Sequence, residues 1–155
     1  MNIKELKLLF ILIIPFLSFG QGDLQKIKEV LYKQEGAWNQ GDLHGFMLGY
    51  WNSENLIFTS EKHKPSYGWN NTLNLYKESY PTKESMGELK FQIFDIILTS
   101  NKTATLDGSW ELIRKNDNPR GLFYLNIRKF NDTWLITKDS TTESSFIGNN
   151  YIETK

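Results

Sequence analysis

The sequence predicts an α+β fold, in which an antiparallel sheet is covered on one face by helices. Apolar residues recur at helical spacing in three segments between Asp23 and about Ser79, whereas from about residue 87 to residue 142 they alternate with polar residues at a period of two. Helices followed by a run of strands are typical of this layered architecture. No linker, repeat or low-complexity segment divides the chain, so residues 21–155 are predicted to form a single domain.

Residues 1–20 have the three-part pattern of a secretory signal peptide. Two lysines precede an apolar run over residues 8–17, and small residues precede a cut at Gln21. This run is well short of the roughly 20 apolar residues that a membrane-spanning helix needs. We therefore expect cleavage after Gly20, export to the periplasm or the medium, and no membrane segment after processing. An uncleaved anchor is the alternative.

Composition excludes several classes of function. The chain has 18 basic and 18 acidic residues and no cysteine. Neither a basic surface for nucleic acid or anionic membranes nor a disulfide framework is therefore expected. His44 and His63 have no other metal-binding residues at useful spacing around them, and no phosphate-binding or nucleophile motif is present. The sequence thus predicts no metal and no cofactor.

About three helices are predicted in the N-terminal half. The first runs from Asp23, a suitable N-cap, to Asn39 and is ended by Gly41. Asp42 then caps a short second helix. A third helix spans residues 69–79 and is ended by the proline that follows it.

The strands are delimited by turn signals at residues 100–102, 116–121 and 131–132. These signals divide the second half into four strands near residues 87–99, 103–115, 121–130 and 133–142, and a short strand over residues 55–60 precedes the third helix.

The last hairpin sets which side chains of the final strand point toward the helices. With a two-residue turn at 131–132, Leu125 pairs with Lys138, which places Lys138 and Ser140 on the inner face and Asp139 on the outer face. Inward polar groups at a strand end meet a partner, a ligand or water. Alternatively, both lie beyond the helices and are simply solvated.

The strand over residues 87–99 carries an acid, Asp95, on its otherwise apolar parity. Either Asp95 is a buried carboxylate, or a bulge switches the face so that Phe94, Ile96 and Leu98 point inward. We favour the bulge because buried acids are rare.

Five runs of sequence resemble a known family. They are AWNQGDLHGFM (37–47), YGWNNTLNLYKESYP (67–81), MGELKF (86–91), DGSWEL (107–112) and GLFYLNIRKFNDTWLITKDSTT (121–142). Together they resemble the family known as domain of unknown function 4440, which is similar to SnoaL-like proteins, ketosteroid isomerase and nuclear transport factor 2 (NTF2).

This resemblance implies a cone-shaped NTF2-like fold, in which a strongly curved sheet wraps around the helices and leaves a cavity that opens near the end of the last strand. It also implies a homodimer formed through the outer face of the sheet. Asp139 is retained from the family pattern, but Lys138 and Ser140 stand where relatives commonly have histidines.

The predicted function is the binding of a small apolar ligand in an aromatic cavity. Tyr32, Tyr50 and Tyr76 are candidate inward hydroxyls, and Lys138 and Ser140 would orient a carbonyl or carboxylate group at the mouth. The predicted ligand-binding residues are Trp38, Tyr50, Trp69, Trp110, Lys138 and Ser140.

Two alternatives stay open. The first is an isomerase- or lyase-type enzyme acting in the same cavity, which would need a carboxylate base on the inner face that the predicted register does not supply; a desolvated Lys138 could take that place. The second is an association module whose cavity is filled by its own aromatic side chains.

Overall fold

A computed structural model describes residues 16–143 of the chain. In chain order its elements are α1 (Phe16–Asn39), α2 (Leu43–Met47), β1 (Ile57–Ser60), β2 (Ser66–Tyr67), α3 (Trp69–Ser79), α4 (Lys83–Met86), β3 (Glu88–Leu98), β4 (Thr103–Ile113), β5 (Arg120–Phe130) and β6 (Thr133–Thr141). The apolar run of the predicted leader lies largely outside the described residues, and the predicted cut after Gly20 falls within α1. Across residues 16–143, no helix is both long enough and apolar enough to span a bilayer.

Helices α2 and α3 agree with the prediction, whereas α1 begins earlier than predicted and α4 was not predicted. The Asp42 side chain caps α2 by accepting a hydrogen bond from the Gly45 N–H (2.8 Å), and α3 has the predicted bounds. The sequence analysis missed α4, a single turn after Pro81 that is held by a capping box between Thr82 and Ser85.

Asp23 is not the N-cap of α1, because the helix begins at Phe16. Its carboxylate instead accepts hydrogen bonds from Lys129 Nζ (2.8 Å) and Trp134 Nε1 (3.0 Å). These bonds, the one from Lys129 first, hold the pKa of Asp23 below its ordinary value. The acid therefore ties α1 to the β5–β6 hairpin.

The six strands form one curved, open sheet in the order β2-β1-β6-β5-β4-β3. The predicted α+β class is confirmed, but the sheet is mixed because β1 runs parallel to β6. The short strand β2 forms where only a turn was predicted. The inner face of the sheet packs against the helices, and the core lies between them.

A bulge in β3 resolves the question of Asp95. The β3–β4 register shifts between Ile93 and Asp95, and Asp95 is exposed, as the bulge interpretation predicts. Ile96 and Leu98 pack against the core. Phe94, however, points outward and is 41% exposed, because it is the extra residue of the bulge.

A second bulge, between β5 and β6, overturns the predicted orientation at the end of the last strand. Ile127 pairs with Ile136 as expected, but the next pair is Asn126 with Lys138, so Thr137 is an extra residue. Directly paired residues share a face. Leu125 consequently pairs with Asp139 rather than with Lys138, and Asp139 turns inward.

The same shift moves the neighbours of Asp139 to the other face. Ser140 pairs with Tyr124, which is 48% exposed on the outer face of the sheet. The prediction that Lys138 and Ser140 point inward, and that Asp139 lies on the outer face, is therefore wrong. A one-residue bulge reverses every side chain beyond it.

Candidate functional site

A cavity of about 130 Å³ lies between the inner face of the sheet and helices α1, α2 and α3. An engineered protein cavity of about 150 Å³ holds one benzene molecule, so this space suits a single ring. Its walls are mainly aromatic; the aromatic side chains that line it are Trp38, Phe46, Tyr50, Phe58, Tyr76, Tyr80, Phe91, Trp110 and Phe123.

Edge-on aromatic contacts fix the position of these walls. The ring of Trp38 meets those of Phe46 and Tyr80 at centroid distances of 5.1 and 4.8 Å, both in T-shaped geometry. Phe91 and Phe123 meet in the same way at 5.5 Å on the sheet side. Such pairs contribute beyond simple burial. The cavity therefore has a defined shape before any ligand enters.

The carboxyl group of Asp139 is the acidic group at the core of this site. The residue is 6% exposed and lines the cavity. The Tyr50 hydroxyl donates a hydrogen bond to Asp139 Oδ2 (2.7 Å). Oδ1 is buried and accepts no hydrogen bond from any group in the described part of the chain. One oxygen of the acid is thus held in place and the other is unpaired.

Burial decides the ionisation of this acid. Desolvation raises the pKa of Asp139 from 3.8 to about 7, against the opposing effect of the hydrogen bond from Tyr50. Near neutral pH the carboxyl group therefore exists in both the protonated and the ionised form. A group with this pKa can both accept and return a proton.

A second tyrosine extends the hydrogen-bonded network. The hydroxyl oxygens of Tyr50 and Tyr76 are 3.4 Å apart. Because the single hydroxyl proton of Tyr50 is given to Asp139, Tyr76 is the donor in this contact. Burial, and then the nearby charge of Asp139, raise the pKa of both tyrosines well above the ordinary value. Both phenols therefore keep their protons.

The cavity opens between residues 61–63 and residues 142–143. There Lys62 Nζ and Glu143 Oε2 form an ion pair at 2.5 Å, and the Glu143 N–H donates to Glu61 Oε2 (3.1 Å). His63 borders the opening and is exposed. The rim is therefore charged, whereas the interior is apolar.

A glycine holds one side of this opening in position. Trp110 Nε1 donates to the Thr142 carbonyl oxygen (3.1 Å). A Cβ at Gly121 would lie 1.8 Å from that same oxygen, so only glycine permits this approach. The chain after β6 is thereby pinned beside the cavity wall.

The structure brings together part of the predicted ligand-binding set. Trp38, Tyr50 and Trp110 line the cavity, and their role in binding stays a prediction. Trp69 is buried in the core outside the cavity lining, where its Nε1 donates to the Met47 carbonyl oxygen (2.8 Å). Of the other candidate hydroxyls, Tyr76 lines the cavity, whereas the side chain of Tyr32 is 56% exposed.

Lys138 and Ser140 do not line the cavity, because the β5–β6 bulge turns them away from it. Asp139, which the register argument assigned to the outer face, takes their place. The family resemblance had already drawn attention to this aspartate.

No group of three or more His, Cys, Asp or Glu side chains within residues 16–143 is arranged to hold a metal ion. His44 is exposed, and its ring meets the ring of Trp69 edge-on at 5.5 Å. Away from its charged rim, the cavity is lined by aromatic and aliphatic side chains together with the amide of Gln34 and the carboxyl group of Asp139.

Comparison with solved structures identifies the family. An NTF2-like protein of unknown function from Shewanella oneidensis is 45% identical over 77% of this chain and 98% of its own, with a TM-score of 0.74. The chain belongs to the NTF2-like family. No family model and no curated protein matches it. The narrower resemblance to domain of unknown function 4440 therefore stays a prediction.

Two solved structures of much lower sequence identity share the fold. A ketosteroid isomerase-like protein from Erwinia carotovora atroseptica is 15% identical over 79% of this chain and 97% of its own, with a TM-score of 0.67. A domain of unknown function with a cystatin-like fold from Nostoc punctiforme is 16% identical over 81% of this chain and 80% of its own, with a TM-score of 0.69. At these identities the comparison concerns the fold alone, and the function of this NTF2-like chain has to be argued from its own cavity.

Proposed function

We propose that the cavity binds a small, mostly apolar ligand and that Asp139 exchanges a proton with it, as the general acid or base of an isomerase- or lyase-type reaction. The observation that carries this proposal is the Asp139 carboxyl group, which lines an aromatic cavity, is held by Tyr50 at 2.7 Å, and has one unpaired oxygen. The bulge in β6 supplies the inward carboxylate that the predicted register lacked.

The chemistry follows from the surroundings of this acid. A carboxylate in an apolar cavity is more basic than one in water, and its pKa of about 7 matches a physiological operating pH. The ionised form would remove a proton from a carbon next to a carbonyl group, and the protonated form would return it at another position. Groups in this role typically contribute a rate factor of about 10² to 10⁴.

The ligand is defined by size and polarity. A cavity of about 130 Å³ admits one ring or a short chain, and its aromatic walls favour a flat molecule. A ligand carbonyl oxygen beside Tyr76 would accept the hydroxyl proton that Tyr76 otherwise directs to Tyr50 across 3.4 Å. A small cyclic enone or ketone satisfies both requirements.

The test is exchange of carbon-bound hydrogen for deuterium in a panel of small cyclic ketones, followed by NMR. The wild type should catalyse exchange in at least one of them, and Asp139→Asn should slow it about 10²-fold or more. Asp107→Asn makes the same chemical change on the opposite face of the sheet, in β4, and should leave the exchange rate unchanged. Equal rates for wild type and Asp139→Asn would refute the proposal.

Binding without turnover is the second candidate, because the preformed aromatic cavity supports it independently of Asp139. It predicts that ketones raise the melting temperature of both the wild type and Asp139→Asn while neither protein catalyses exchange.

We also propose a homodimer formed through the outer face of the sheet. Large apolar side chains lie exposed there; they are Phe94, Ile97, Leu122 and Tyr124. Leu122→Glu should shift the mass in light scattering from dimer to monomer, whereas Tyr32→Glu, at an exposed aromatic residue of α1, should not. A wild type that is monomeric at high concentration would contradict this.

Export remains part of the proposal and rests on the leader pattern of residues 1–20. The mature protein recovered from the periplasm or medium should begin at or near Gln21. An intact Met1 in a membrane fraction would argue for an anchor.

A further inference from the structure

We infer that Gln34 is a specificity-determining residue whose amide oxygen, Oε1, accepts a hydrogen bond from the ligand, so that the cavity selects small single-ring molecules that carry an O–H or N–H donor. This inference rests on the proposed ligand-binding function and adds the polarity of the ligand to it.

Gln34 is the amide in the cavity wall. It lies on α1, is 2% exposed, and lines the same cavity as Asp139. Uncharged polar side chains with this degree of burial normally have all their polar atoms paired. The two ends of its amide therefore have to be considered separately.

One end of the amide is accounted for. Gln34 Nε2 donates to the Phe46 carbonyl oxygen, in α2, at 3.0 Å. A carbonyl oxygen only accepts, so the nitrogen of the amide must face Phe46 and Oε1 must face the other way. No hydrogen bond from an N–H or O–H group between residues 16 and 143 reaches Gln34 Oε1, and this oxygen, unlike Asp139 Oδ1, is not fully enclosed by protein, so it is open to the cavity that Gln34 lines.

The position of the amide is also fixed sterically. Gly49 packs directly against it, and a Cβ at that position would lie 2.6 Å from the Gln34 carboxamide carbon. The close approach of Gly49 on one side and the bond to Phe46 on another leave little freedom to rotate. The acceptor is thus held in place before a ligand binds, which avoids an ordering cost on binding.

The chemistry of the ligand follows from this arrangement. A ligand that fills the cavity takes water away from Gln34 Oε1, which costs free energy unless the ligand donates a hydrogen bond to that oxygen. An anionic ligand is disfavoured, since both Gln34 Oε1 and the ionised form of Asp139 present negative charge to it. A neutral ring that carries a hydroxyl group fits, whether it is a phenol or a cyclic ketone with a hydroxyl substituent. A hydrocarbon of the same size fills the space but leaves the amide oxygen unpaired.

Phenol and toluene form the test pair, because they are nearly equal in size and differ in the donor. Their dissociation constants would be measured by NMR titration with the full-length mature protein. Wild type should bind phenol about three- to tenfold more tightly than toluene, the range expected of one hydrogen bond. Gln34→Met should lose this preference while retaining toluene, and Gln92→Met, at an exposed position of β3, should keep it.

The pH dependence of the phenol preference helps to distinguish Gln34 from Asp139, the other acceptor inside the cavity. Gln34 does not titrate, whereas Asp139 becomes an anionic acceptor only as the pH rises through about 7. The protonated carboxyl group of Asp139 can also hydrogen-bond a phenol, so a preference that is equal at about pH 5.5 and 8.5 supports Gln34 when it is also lost in Gln34→Met. A preference confined to the higher pH, or no preference in the wild type, overturns the inference while ligand binding itself stands.

If neither compound binds at millimolar concentration, the proposed binding function fails as well. The wild-type comparison of the two compounds does not depend on any variant. If Gln34→Met, which also loses the bond to Phe46, folds poorly, the same comparison in Asp139→Leu separates the two groups: a phenol preference that it retains supports Gln34, and one that it loses overturns the inference.

Discussion

Replacing Asp139 with asparagine should stabilise the protein increasingly as the pH rises. In the folded state burial raises the pKa of the carboxyl group from 3.8 to about 7. Below pH 4 the group is protonated in both the folded and the unfolded chain. Between about pH 4 and 7 the folded state retains a proton that the unfolded state has lost, so the free energy of unfolding of the wild type falls as the pH rises.

The size of the effect follows from the two pKa values. The difference between 3.8 and about 7 corresponds to about 4 kcal/mol over the whole titration. Between about pH 5 and pH 8 the unfolding free energy of the wild type should fall by about 2.5 kcal/mol of this total, because the carboxyl group in the unfolded chain is already mostly ionised at pH 5. Above about pH 8 the unfolding free energy stops falling, since the carboxyl group of Asp139 is then ionised in both the folded and the unfolded state.

Urea denaturation at a series of pH values between 5 and 8 would measure this difference. Asparagine keeps the shape of the side chain and cannot ionise. The contributions of all other titrating groups to the pH dependence of stability therefore cancel when the two proteins are compared. The gap in unfolding free energy between Asp139→Asn and wild type should widen by about 2.5 kcal/mol, or roughly 10 °C in melting temperature. Parallel curves would refute the assignment of a buried carboxyl group with a raised pKa.

Two further predictions concern the neighbours of this acid. Tyr50→Phe removes the hydrogen bond that opposes the effect of burial, so the pKa of Asp139 should rise further, and a carbon-13 NMR titration of the carboxyl group would detect the change. Gly121→Ala places a Cβ against the Thr142 carbonyl oxygen and should lower the free energy of unfolding by about 2 kcal/mol or more, as measured by urea denaturation. The control is Gly36→Ala in α1. Because there is open space around Gly36, this substitution should raise the free energy of unfolding by about 0.5–1 kcal/mol in the same assay.

Much of the fold could be predicted because its signals are local. The helical stripe of α1 and the alternation in β4 follow from the spacing of apolar residues, and the end of α3 follows from the nearby Pro81. The family resemblance supplied the overall curvature, which no local pattern contains. The parallel pairing of β1 with β6 was missed, because a strand of four residues carries no signal for its partner.

The site was predicted less well, because its geometry depends on register. Trp38 and Tyr50 were correctly assigned to the interior from their positions on helical faces. The orientation of Lys138, Asp139 and Ser140 depended instead on counting residues from the hairpin turn. A bulge at Thr137 has no clear signature in the sequence, and the count fails beyond it.

The bulge at Thr137 separates the length of β6 from the side chain that the strand presents to the cavity. Loss of that one codon would remove the bulge but leave Lys138 opposite Asn126 and Asp139 opposite Leu125, so the acid would still face the cavity. A strand that keeps Thr137 and pairs it with Asn126 would instead turn Lys138 and Ser140 inward and exchange an acidic cavity for a basic one, with no change of sequence length. In relatives of this chain, the spacing between the hairpin turn and the terminal aspartate therefore gives the direction of that side chain only together with the pairing of the strand.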